Sequence, residues 1–139
     1  MNIAVDFDGT IVEHKYPKIG KEIRHAVSTL RRLSDEGHNI ILWTHREGKL
    51  LDDAVNFCRE RGLEFYAVNT EYPGSAWTGH GVSRKLKADI YIDDRNVGGL
   101  PEWTEIYSMI TGDELHESSR GKGFFGRIRE RCREAREKY

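Results

Sequence analysis

Asn2-Ile3-Ala4-Val5-Asp6-Phe7-Asp8-Gly9-Thr10 is the stretch on which the reading of the fold turns. Ile3–Phe7 is a short apolar run, too brief for a helix and ended by the turn former Gly9, so it reads as a buried strand. Three similar runs follow at Asn39–Thr44, Glu64–Val68 and Ala88–Ile92. Amphipathic stretches separate them. Lys21–Glu36 places Ile23, Ala26, Val27, Leu30 and Leu33 on one helical face, and Gly37 suits a left-handed stop. Lys49–Arg61 repeats the pattern through Leu50, Leu51, Ala54, Val55 and Cys58, with Gly62 after it. Buried strands alternating with helices predict an α/β fold, a mainly parallel sheet of four to five strands with helices on both faces.

Two segments are less regular. Asn69–Arg84, with Pro73, Gly74, Gly79 and Gly81, reads as a long loop with room for one helical turn, of the kind that is usually functional or mobile. Beyond it, Leu100, Trp103, Ile106, Tyr107 and Ile110 fit one side of a helix opened by Pro101 and stopped by Gly112. The β-rich run Thr104–Met109 allows a strand instead. Residues 1–112 are expected to form the core domain, and 113–139 a basic linker and helix.

The 139 residues fit one domain with enough length to bury a core. No apolar run approaches the ~20 residues of a membrane span, and the chain opens into a strand pattern without a basic leader. Cys58 and Cys132 lack metal-ligand spacing and read as reduced thiols; the whole reads as cytoplasmic, with no membrane partner. Of 22 Lys/Arg and 23 Asp/Glu, eight basic and three acidic residues lie in Arg120–Tyr139, leaving 14 and 20 for the rest. That tail carries a narrow apolar stripe, Phe125, Ile128, Cys132 and Ala135, on an expected helix from Phe124 to Lys138 behind the Gly121-Lys122-Gly123 hinge. Its charges read first as a salt-bridged outer face; a nucleic-acid partner and docking on a second subunit stay open.

Parallel α/β sheets bind ligands at the carboxyl ends of their strands. Here those ends carry Asp6, Asp8, Gly9 and Thr10; then Thr44, His45 and Arg46; then Asp93, Asp94, Arg95 and Asn96. Four carboxylates at one edge require protons or a cation. Hard oxygen ligands suit Mg²⁺, which favours a carboxylate or two together with a substrate phosphate.

The segment Asp6-Phe7-Asp8-Gly9-Thr10 after an apolar strand resembles the signature of the haloacid dehalogenase (HAD) superfamily of phosphatases. Thr44 at a strand end, a lysine before the fourth strand and the Asp93-Asp94 pair match its other motifs in order, over Met1 to about Asn96. The resemblance implies a three-layer Rossmann-like core and an Mg²⁺-dependent phosphomonoester hydrolase. Asp6 would be the nucleophile, forming an aspartyl-phosphate, and Asp8 the acid and then base. Gly9 would turn the chain so that both carboxylates face the phosphate. Asp6, the Asp8 carbonyl and Asp93 would hold the metal, with Asp94 acting through water. Thr44 would meet the phosphoryl oxygens, and Lys85, preferred to Lys87 by spacing, would neutralise charge. Gly9, Thr10, Thr44, His45 and Arg46 are the substrate-binding candidates. His14, Lys15 and Tyr16 fall where the superfamily carries a small flap; Trp43 and Trp103 read as core.

Neither gap between the motifs has room for a cap domain, which resembles the capless branch, whose open sites take large substrates or are closed by another subunit. A phosphorylated small molecule is the expected substrate. Asp8 argues against a dehalogenase. A phosphotransferase of the same superfamily, and a non-catalytic binding or regulatory protein with a basic tail, are the alternatives.

Overall fold

The computed structural model describes residues 1–75 and 85–113. Within them lie four strands and three helices: β1 (Asn2–Val5), α1 (Ala26–Asp35), β2 (Asn39–Leu42), α2 (Gly48–Glu60), β3 (Ala67–Val68), β4 (Ile90–Ile92) and α3 (Trp103–Thr111). The strands form one sheet in the order β3-β2-β1-β4. Every pairing in it is parallel. The fold is α/β, and the described residues form no separate cap domain.

Each of the four apolar runs contains a strand, the third reduced to Ala67–Val68, and each strand carries at least one buried apolar residue. Ile3, Ala4 and Val5 of β1 and Ile40, Ile41 and Leu42 of β2 are all at most 1% exposed. Ala4, Ile41, Ala67 and Leu86 form one core cluster, with Trp43, Ala88 and Tyr91 packed against it. Near-continuous apolar strands are what a sheet covered on its faces requires.

Helix boundaries follow the competition for backbone hydrogen bonds. The expected helix from Lys21 begins only at Ala26. Lys21 and Ile23 are taken by the segment after the first strand: Glu13 N–H donates to Lys21 C=O, and Ile23 N–H to Ile11 C=O. His25 then adopts a left-handed φ of 67°, and the Glu22 carboxylate accepts the Val27 N–H, partly replacing a cap. The buried face of α1 holds Ala26, Val27, Thr29, Leu30 and Leu33. Helix α2 runs close to its expected span and buries Ala54 and Cys58, the latter a free thiol pushed up to about 12 by burial.

The chain divides into two compact units, Met1–Leu100 and Pro101–Tyr139. In the second, α3 takes the helical alternative: Trp103, Ile106 and Tyr107 are buried at helical spacing, and Gly112 closes it at φ 75°. The expected tail helix, its hinge, Cys132 and the 76–84 part of the expected loop lie outside the described residues. No helix among the described residues is long and apolar enough to cross a membrane.

Ile41 is fully buried at the centre of the sheet cluster. Ile41→Ala is therefore expected to cost about 2–5 kcal/mol, read as a lowered urea midpoint with an unchanged m-value.

Candidate active site

The site begins with strand register. Val5 pairs with both Leu42 and Ile92, so the residue after each strand emerges at one level of the sheet edge. Asp6 N–H continues the ladder to Ile92 C=O (3.0 Å), and Trp43 N–H continues it to Val5 C=O (2.8 Å). Asp6 and Asp93 thus leave neighbouring strands side by side, at the ~4.8 Å spacing of paired strands. One carboxylate oxygen from each of Asp6, Asp93 and Asp94 lies within 4.8 Å of the other two. That cluster is able to hold a metal ion.

Beyond β1 the chain turns tightly, with Gly9 N–H donating to Val12 C=O (2.7 Å) and Ile11 N–H to Phe7 C=O (2.9 Å). Gly9 sits at φ +86°, and a Cβ there would collide with the Asp94 carboxylate. Only glycine combines that backbone with so close an approach. Thr10, a substrate-binding candidate by sequence, is fully buried. Its hydroxyl donates to Asp6 Oδ2 (3.2 Å), lies 3.5 Å from Asp94 Oδ1 and accepts the Asp94 N–H (3.1 Å). It braces two of the three clustered carboxylates.

Burial pushes the Asp6 carboxyl up from 3.8 to about 6, and the charges of Asp93 and Asp94 add to this. The Phe7 N–H and the Thr10 hydroxyl oppose it by bonding the anion. An uncompensated carboxylate cluster is costly, and a hard divalent cation is the partner its all-oxygen donor set fits.

Asp8 is not one of this group. Its two oxygens accept hydrogen bonds from Arg46 Nε and one terminal nitrogen, both at 2.7 Å. Arg46, a substrate-binding candidate by sequence, makes this ion pair and also lines the cavity. It is 1% exposed, it donates further to the carbonyls of Pro17 (3.1 Å) and Lys18 (3.0 Å), and it lies 5.1 Å from the Phe7 ring centroid and 5.3 Å from that of Tyr16. Asp8 raises the guanidinium further above its ordinary value, chiefly through the hydrogen bonds and against the effect of burial.

Asp6, Asp8, His14, Tyr16, Trp43, Thr44, His45, Arg46, Asp93 and Arg95 line one cavity of about 410 Å³. This is within the range of small-molecule sites. Thr44 and His45 therefore stand at the cavity, as expected from their strand end. The Thr44 N–H is held by Asn69 Oδ1 (2.8 Å), and its hydroxyl accepts the Arg46 N–H (3.2 Å). Trp43, read as core, has two roles: it packs on Tyr91 with ring centroids 5.3 Å apart and also lines the cavity. Lys85 does not line it; its ammonium lies 5.5 Å from the centroid of the Tyr91 ring.

Asn69 was not foreseen. Its signals are a strand-terminal Asn and a φ of 53°, a backbone that Asn tolerates better than most residues, but only the first is readable in a sequence.

The raised Asp6 carboxyl has a stability consequence without metal. The folded form holds the proton more tightly than the unfolded one, so stability from this group is full below pH 4 and falls as pH rises through about 6. In EDTA, Asp6→Asn should be more stable than the parent at pH 8 by about 1–2 kcal/mol, after allowance for solvent screening, and equal to it near pH 4. Urea titrations at the two pH values measure this; an equal or less stable variant at pH 8 would refute it.

No family model and no curated protein matches the chain. A solved structure of a conserved protein from Bacteroides thetaiotaomicron is 57% identical, with a TM-score of 0.75, over 85% of this chain and 98% of its own. At that identity and coverage, the chain belongs to the same family as this conserved Bacteroides protein.

Proposed function

We propose that the protein is an Mg²⁺-dependent phosphomonoester hydrolase of the HAD type, built on a capless three-layer core, and that it works through an aspartyl-phosphate on Asp6. The observation that carries this reading is the meeting of Asp6 with Asp93 and Asp94 at the carboxyl ends of two paired parallel strands, inside a cavity. Asp6, Asp93 and Asp94 would hold the ion. When bound, it supplies positive charge that lets an anionic phosphate approach an anionic nucleophile.

The chain's own groups then divide the work. An Asp6 carboxylate oxygen attacks phosphorus, forming one P–O bond as the ester P–O bond breaks and its electron pair leaves with the alcohol oxygen. Thr10 holds the attacking carboxylate, and its buried hydroxyl bond limits the side chain's rotation. Asp8 is the carboxyl group that gives the leaving oxygen its proton and later takes one from the water that cleaves the acyl-phosphate. For that duty it must release one of its two Arg46 bonds. Thr44, at the cavity wall with its backbone anchored by Asn69, would meet the phosphoryl oxygens. Tyr16, His14, His45 and Arg95 form the outer wall, where the remainder of the substrate would lie.

Purified protein should hydrolyse an aryl phosphate with added Mg²⁺, and EDTA should abolish the activity. Asp6→Asn should lower kcat at least about 10³-fold, within a loss that reaches about 10⁶-fold when a catalytic nucleophile is removed. A folded Asp6→Asn protein that kept most of its rate would overturn the assignment. Running the reaction with added alcohols distinguishes transfer to water from transfer to a second acceptor.

A further inference from the structure

The loop from His14 to Gly20 rises beside the cavity on a base that is well anchored. Val12 pairs with both Asp8 and Glu22, and Glu13 N–H bonds Lys21 C=O. Above this base the support thins. Glu13 to Lys18 are all exposed, and among the described residues the hydrogen bonds reaching the loop's upper part come from Arg46, to the Pro17 and Lys18 carbonyls. The same guanidinium carries both oxygens of Asp8 and lies against the Tyr16 ring.

The geometry points to Arg46 as a positioning residue that orients Asp8 and, through the same planar group, seats the His14–Lys18 loop so that Tyr16 and His14 form a preset wall of the substrate cavity. This rests on the phosphohydrolase reading for its catalytic half, but not for its structural half.

The shape of the side chain carries the argument. Four N–H bonds leave one rigid plane toward two separate segments, a fork that only guanidinium provides. A lysine ammonium has three donors on a flexible stem, so it keeps the charge and loses the simultaneous reach. The substitution of Arg by Lys should therefore not rescue the function. Asp8 serves the chemistry and the loop contacts the rest of the substrate, so losing Arg46 should act on both kinetic constants. A misplaced catalytic group costs about 10²-fold in rate. A loosened wall weakens substrate binding.

The test uses Arg46→Lys and Arg46→Ala in the full chain, with an aryl phosphate and Mg²⁺, beside limited trypsin digestion at the exposed Lys15 and Lys18. Both variants should show kcat lower by about 10²-fold. They should also show a severalfold higher KM and cleavage after Lys15 or Lys18 at least tenfold faster than in the parent, with cooperative urea unfolding retained. Millimolar guanidinium should restore part of kcat to Arg46→Ala and none to Arg46→Lys. Parental kcat and KM in folded Arg46→Lys would overturn the proposal, as would unchanged cleavage of the loop. Should Arg46→Ala fail to fold, Arg46→Lys carries both readouts. Should that variant also unfold, digestion of the parent decides: cleavage after Lys15 and Lys18 as fast as in an unstructured peptide of the same sequence overturns the proposal, and resistance supports it. If the parent shows no phosphatase activity, the functional reading falls, while digestion of the parent and the variants still judges whether Arg46 holds the loop.

Discussion

Parallel pairing of β1 with β4, in the register that sets Val5 against Ile92, places two strand ends at one height and hands their next residues, Asp6 and Asp93, to each other. The pairing is held by burial: β1 is central, flanked by β2 and β4, and its Ile3, Ala4 and Val5 are almost inaccessible to water. Shifting this register by one residue would turn every side chain of β1 to the opposite face. The core therefore enforces the alignment, and the carboxylates inherit it.

Such crowding of like charge works against the folded state, and the surroundings are built to contain it. Thr10 bonds Asp6 and accepts the Asp94 backbone, the Phe7 N–H bonds the Asp6 carboxylate, and Gly9 leaves room for the Asp94 side chain. These contacts offset only part of the cost, as the raised Asp6 carboxyl indicates. The proposed cation would supply the remaining charge. In this arrangement the site holds an electrostatic strain that the proposed cation would relieve, so stability and the proposed activity would draw on the same few carboxylates.

Asp8 is kept out of that cluster by Arg46. A buried ion pair of this kind is costly to break by removing one partner, about 3–5 kcal/mol. It also separates two carboxylates only two residues apart in sequence into different environments, one against acidic neighbours and one against a guanidinium. Distinct environments are what allow two similar groups to take distinct chemical duties. The pair also binds the segment after β1 to the segment after β2, so the cavity wall and its floor share one support.

Much of this was legible in the linear chain. The four strands are short apolar runs whose character survives in any context, and the helices show their buried faces by period. The identity of the strand-end residues, Asp6, Asp8, Thr44 and Asp93-Asp94, follows from where those runs stop. Helix α3 was readable only as one of two options, because its β-rich residues and its helical spacing disagree. Three things required the tertiary fold. Lys85 stands over Tyr91, because spacing along a chain does not set direction in space. Thr10 turned inward, because the tight turn at Gly9 buries it. Arg46 found Asp8, 38 residues away, because strands β1 and β2 lie side by side. Sequence by itself determined which residues could carry the chemistry, since local pattern encodes strands and their ends. Tertiary structure alone decided which of them touch, since contacts between distant segments depend on register and packing that no local pattern contains.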